Sequence, residues 1–95
     1  MSEADKTRLK NKVVAHKGHL TRCRKSLDAA TSFLEDAPSQ ASKAEVECQI
    51  KKLKEQHTAI TELYHKLCDI DDTKVQEYST KLDSLDDEVL ESLSL

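Results

Sequence analysis

The sequence predicts an all-α fold: an antiparallel, coiled-coil-like helical hairpin with a third helix folding back as a three-helix bundle. Three observations carry this. Gly and Pro occur once each and aromatic residues three times in 95 residues, too few for sheets built from tight turns and aromatic or β-branched strands. Ala, Glu, Lys, Leu and Arg supply 44 of the 95, near the level of coiled coils and long helices. Apolar residues also recur at alternating spacings of three and four along most of the chain. One helical domain spanning 1–95 is expected, with helices at about 3–35, 43–70 and 73–94 and a turn at 36–42. A chain this short buries only roughly 60–68% of its surface, so its core must be thin.

The first helix carries Leu9, Val13, His16, Leu20, Cys23, Leu27, Ala30 and Leu34 as an unbroken heptad seam. Ser2 is a plausible N-cap. Pro38 ends the helix, because it disfavours helical backbone at Ala37 and has no N–H to continue the ladder. Gly18 lies in mid-helix at a cost of ~1 kcal/mol against Ala. The second helix restarts at Ser42-x-x-Glu45, read as a capping box, and its seam is Val46, Ile50, Leu53, His57, Ile60, Tyr64 and Leu67. If the two helices are antiparallel and Leu34 faces Val46, the remaining positions pair in order. Ala30 then meets Ile50, Leu27 meets Leu53, Cys23 meets His57, Leu20 meets Ile60, His16 meets Tyr64 and Val13 meets Leu67. The third helix follows Asp69-Ile70-Asp71-Asp72, with Thr73-x-x-Gln76 as a second capping box and Val75, Tyr78, Leu82, Leu85 and Val89 as its stripe. Its phase slips by one residue against the second seam, which places a break near Asp71–Thr73. Val14, Phe33, Leu63, Ile70, Leu90 and Leu93 lie off or beside the stripes and need cover of their own.

Few residues point to chemistry. His16, His19 and Cys23 share roughly one helical face, and His16 with His19 or Cys23, closed by His65 of the neighbouring helix, could supply ligands for a tetrahedral metal site. Filling a narrow coiled-coil core is the stronger reading, since Cys is among the most buried residue types. The Cys23/His57 layer resembles a nucleophile–base pair. A helical seam offers a thiolate neither an oxyanion hole nor a substrate pocket. No enzyme activity, no metal and no cofactor is therefore expected.

Charge is distributed unevenly behind a net −3: residues 1–27 carry +6, residues 28–68 carry −2 and residues 69–95 carry −7. The basic side chains Lys10, Lys12, Lys17, Arg22, Arg24 and Lys25 are candidates for contact with a nucleic-acid backbone. No aromatic residue is interleaved to stack bases. Neutralisation by the acids of a returning third helix (Glu77, Asp83, Asp86, Asp87 and Glu88) is the favoured alternative. No segment approaches the ~18 apolar residues of a membrane span, and Met1-Ser2-Glu3-Ala4-Asp5 is polar and acidic, unlike a signal peptide. The three cysteines, Cys23, Cys48 and Cys68, are an odd number at wide spacing, read as reduced thiols. A cytoplasmic protein without membrane contact is expected.

The string Lys17-Gly18-His19-Leu20-Thr21-Arg22, the leucines at 27 and 34, a short acidic turn with Pro38, and Lys54-Glu55-Gln56-His57 ahead of Tyr64 resemble the N-terminal gag-like helical region of BEL/Pao-type LTR retrotransposon polyproteins. The resemblance covers roughly residues 8–92. It implies an α-helical interaction segment without catalysis. The chain departs from that pattern in lacking the Trp often seen in the second helix, an Asp-Thr/Ser-Gly triplet and a zinc knuckle.

Taken together, the expectation is a non-catalytic module for protein interaction or oligomerisation, either gag-like or not. Its interaction seam is Leu9, Val13, Leu20, Leu27, Leu34, Val46, Ile50, Leu53, Ile60 and Leu67. The expected partner is a second copy in a weak homo-oligomer, or another helical protein. The alternative is a nucleic-acid-binding adaptor that uses the basic first helix.

Overall fold

The computed structural model describes residues 3–93, and these are all-α: three helices with no strand among the described residues. Helix α1 spans Glu3–Asp36, α2 spans Gln40–Ile70 and α3 spans Val75–Leu93, with a single 3-10 turn at Asp72–Lys74 before α3. The expected N-cap Ser2 and the expected last helical position, 94, lie outside the described residues.

A helix of α1's length is about 51 Å long, and the molecule measures 52 × 20 × 14 Å between Cα extremes. Its radius of gyration, 15.9 Å, exceeds the ~12 Å of a compact chain of this length. The chain is a slab one helix long, with a correspondingly thin core. Val13, Leu20, Leu27 and Ala30 of α1 are buried against Val46, Leu53, Ile60, Leu63, Tyr64 and Leu67 of α2, and Tyr78, Leu85 and Val89 of α3 complete the cluster. Leu27, Leu53 and Ile60 are fully enclosed.

The turn between α1 and α2 is tighter than expected, and the cap is a different serine. Pro38 stops α1, but Ser39, not Ser42, takes the N-cap position in extended backbone (φ −160°, ψ 169°). Its Oγ accepts from Ser42 N at 3.1 Å, satisfying one orphan donor of the first turn. The buried Ser42 then donates its own hydroxyl to the Ala37 carbonyl at 2.8 Å. This frees Ser42 from capping and lets α2 begin at Gln40, three residues earlier than the expected 43.

A break does fall where the phase slips, at Asp71 (φ −140°, ψ 73°). The expected capping box at Thr73 is absent: the Thr73 hydroxyl instead donates to Asp71 Oδ1 at 2.7 Å. From there α3 returns along α2, its ring of Tyr78 lying 5.9 Å from that of Tyr64 and its Asp86 bonded to His57 of α2. α3 packs chiefly on α2 and touches α1 little.

Candidate interaction surface

The seam residues are consumed within the chain. Val13, Leu20, Leu27, Val46, Leu53, Ile60 and Leu67 are buried, and Leu9, Leu34 and Ile50 are half-buried at the margins of the same cluster. Two polar residues of the seam have hydrogen-bond partners other than the residues expected opposite them. His16, expected opposite Tyr64, donates its Nδ1–H to Gln56 Oε1 at 2.7 Å, while Lys17 sits over the Tyr64 ring at 5.7 Å. His57, expected opposite Cys23, has its Nε2 2.6 Å from Asp86 Oδ1 on α3. Both imidazoles sit at the edge of the seam, where a hydrogen-bond partner is reachable and an apolar layer would leave ring nitrogens unpaired.

Of the apolar residues beside the stripes, Leu63 is buried and Ile70 and Leu93 are half-buried, whereas Val14 is 69%, Phe33 61% and Leu90 61% exposed. The cysteines form no disulfide; Cys23 and Cys68 are half-buried and Cys48 is exposed. His16 and His19 stand edge-on, 6.3 Å between ring centroids, and His19 accepts from Arg22 Nη2 at 3.2 Å. No group of three or more His, Cys, Asp or Glu among the described residues is arranged to hold a metal ion. No helix among them is long and apolar enough to cross a membrane.

The six basic candidates do not form one face. Lys10, Lys17 and Arg24 follow one another at heptad spacing and line the side of α1 nearest α3. Lys12 and Arg22 lie on the other flank, beside Lys66 and Lys52 of α2 respectively, and Lys25 is exposed. The expected neutralisation by α3 is confined to one pair among the described residues, Arg24 Nη1 to Glu88 Oε2 at 3.9 Å. Glu77 instead pairs with Lys81 of its own helix at 3.4 Å, and Asp86 goes to His57. The reason is position: α3 leans on α2, so only the long Arg24 spans the gap to it, with Nε donating to Ser92 Oγ at 2.7 Å.

At the opposite end a buried carboxylate ties the chain together. Asp71 is 7% exposed, accepts from Thr73 and, at 3.4 Å, from the buried Tyr78 hydroxyl, and lies 3.8 Å from Lys6 Nζ of α1. The Thr73 hydrogen bond, helped by the charges of Lys6 and Lys74 and by the Tyr78 hydroxyl, outweighs burial and holds the Asp71 carboxyl below its ordinary range. Burial, and then the Asp71 charge, push the Tyr78 phenol up.

Between these two ties α1 and α3 stand apart, and a cleft of about 240 Å³ opens there, lined by Val13, Val14, Tyr64, Leu67 and Tyr78 and bordered by Lys10, Lys17, Lys74, Glu77 and Lys81. Sequence reasoning placed Lys10 and Lys17 among its candidates but missed Lys74 and Lys81. Their signal is visible once α3 is known to run parallel to α1: Lys10 and Lys17 on α1, and Lys74 just before α3 with Lys81 on it, are each seven residues apart. Comparison with protein-family models, with curated proteins and with solved structures finds no match.

Proposed function

We propose that the protein is a non-catalytic helical module for protein–protein interaction, a three-helix bundle that works through its outer helix faces. The observation that carries this reading is the exposure of large apolar side chains on a slab with little interior: Val14 is 69% and Phe33 61% exposed on α1. Single exposed apolar residues are ordinary, but α1 shows them on a helix whose buried stripe is already spent on α2. A thin core also leaves little stability in reserve, and association with a partner supplies more. In this reading the module acts inside the cell with its thiols reduced. It takes part in weak self-association or in complexes with another helical protein, in the manner of a gag-like structural segment of a retroelement polyprotein.

The test is molecular mass in solution across a concentration series, with and without RNA. Mass and melting temperature that rise together with concentration support self-association. Monomer mass and a flat melting temperature throughout remove it. Tight, salt-sensitive RNA binding replaces the interaction reading with that of an adaptor working through the basic side chains of α1.

A further inference from the structure

Three helices arranged with α1 and α3 both on α2, but scarcely on each other, leave one corner of a four-helix arrangement vacant. That corner has a definite chemistry. Its floor is apolar and aromatic: Tyr64 and Tyr78 are 3% and 2% exposed, and Val14, 69% exposed, belongs to the wall. The 240 Å³ opening corresponds to roughly eight waters at ~30 Å³ each, room for a bulky side chain and not for a whole helix. The opening continues past Lys17 and Lys81 into a shallower notch that reaches Leu85 and Glu88. From Lys74, the last residue of the 3-10 turn, the groove follows the first 14 residues of α3 to Glu88, about 21 Å, or four helical turns.

Its rim is strongly basic. Lys10, Lys17, Lys74 and Lys81 border the groove against two carboxylates, Glu77 in the cleft and Glu88 in the notch, and both are already engaged, by Lys81 at 3.4 Å and by Arg24 at 3.9 Å. Lys17 is held over Tyr64 by its ring, which keeps a cation at the edge of the apolar floor. Like charges facing each other across a groove repel, and a ligand of opposite sign relieves that repulsion while covering the floor.

We propose that the α1/α3 groove is the docking site for an acidic amphipathic helix of a partner protein, about four turns long. It would place an apolar side chain in the cleft and carboxylates against Lys10, Lys17, Lys74 and Lys81. This rests on the interaction-module reading and names the partner's chemistry: apolar anchors at i, i+4 and i+7 give affinity, and the flanking acids give orientation and rate.

The experiment titrates the full chain with a fluorescent four-turn synthetic helix carrying leucines at i, i+4 and i+7 flanked by glutamates. The same helix with glutamines, and a third with lysines, in place of the glutamates are run beside it. Saturable binding of the glutamate helix is expected, weakened by salt and reduced roughly fivefold to tenfold in a Lys10→Gln/Lys74→Gln variant. Amide resonances of Val14, Lys17 and Tyr78 are expected to shift on binding. The two substituted lysines are exposed, so the variant keeps its core. Equal binding of the glutamine helix, an unaffected lysine variant, or resonance shifts confined to another face would each overturn the assignment. The result separates from the mass measurement. A chain that self-associates but ignores the acidic helix loses only this groove. One that stays monomeric yet binds the helix loses only self-association.

Discussion

α2 has two working sides, and they are built from different chemistry. Toward α1 it presents a mainly apolar stripe in which Leu53 and Ile60 lose all contact with solvent, as does Leu27 of α1. Toward α3 it presents a shorter stripe fastened by polar groups: the Tyr64–Tyr78 rings, the His57–Asp86 bond and the Asp71 hinge. The hairpin is thus held by apolar area, which neither titrates nor is screened, and the α3 arm partly by charge, which does both. The difference teaches how a thin domain can pair a firm half with an adjustable one. Each expected outcome below either breaks that contrast or sharpens it.

The largest effect belongs to the hairpin. Leu27→Ala or Leu53→Ala removes a fully buried side chain and should cost about 2–4 kcal/mol, measured by chemical denaturation, a loss that a core this thin can hardly spare. Leu85→Ala is the matching test on the other side. Leu85 is 3% exposed, but it serves the arm alone, so the loss should appear as faster amide exchange throughout α3 while α1 and α2 stay protected. Simultaneous loss of protection in all three helices would show that hairpin and arm are one cooperative unit.

Smaller and opposite in sign is Gly18→Ala. A Cβ at this position meets only the far end of the Arg22 side chain, at 3.8 Å, so no close neighbour requires the glycine. Alanine should add ~0.5–1 kcal/mol through helix propensity and a less flexible unfolded chain. A neutral or destabilising result would mean that the outer face of α1 has a contact there in solution.

The Asp71 hinge gives the arm its pH dependence. Its carboxyl titrates below its ordinary range in the folded chain, so its contribution is present above the unfolded value near pH 4 and is lost as the pH falls through the lower folded value. Tyr78 has the reverse sense. Its raised phenol contributes fully below about pH 10 and loses that contribution as the pH climbs toward the folded value. Asp71→Asn should therefore flatten the acid limb of a stability–pH curve read from α3 and, by removing the charge that helps raise Tyr78, reduce the alkaline limb to the part that burial sets. An unchanged acid limb would place the acid sensitivity elsewhere.

Much of this was legible in the sequence, and the legible part is physical in kind. The spacing of Val13, Leu20 and Leu27 against Val46, Leu53, Ile60 and Leu67 is dictated by burial, which repeats along a helix and needs no knowledge of the neighbour. Pro38 ends a helix wherever it stands. The choice between Ser39 and Ser42 as cap was not legible, because both serines precede a helical run and only the three-residue turn decides which hydroxyl points at the backbone. The partners of His16 and His57 were also out of reach. A polar residue at the edge of a seam takes whichever acceptor the third helix or the next turn brings near, and that is settled by packing. The lysine groove failed for the same reason: Lys74 and Lys81 mean little until α3 is laid parallel to α1.

The smallest expected effect tests the Arg24 link between α1 and the far end of α3. Arg24 donates to Ser92 at 2.7 Å and approaches Glu88 at 3.9 Å, with Arg24 31% and Glu88 55% exposed. Exposed pairs of this kind contribute little, and salt screens them, so Arg24→Gln should change global stability by less than ~1 kcal/mol. Lys51→Ala, on the exposed outer face of α2, serves as the baseline at less than ~0.5 kcal/mol. The informative quantity is local. If Arg24 is what holds the end of α3 toward α1, the last turns of α3 around Val89 should exchange faster in Arg24→Gln, and the groove bordered by Lys17 and Lys81 should become more accessible to the acidic helix. If exchange in α3 is unchanged, α2 alone positions the arm, and the groove's width is set by Tyr64 and Tyr78 instead.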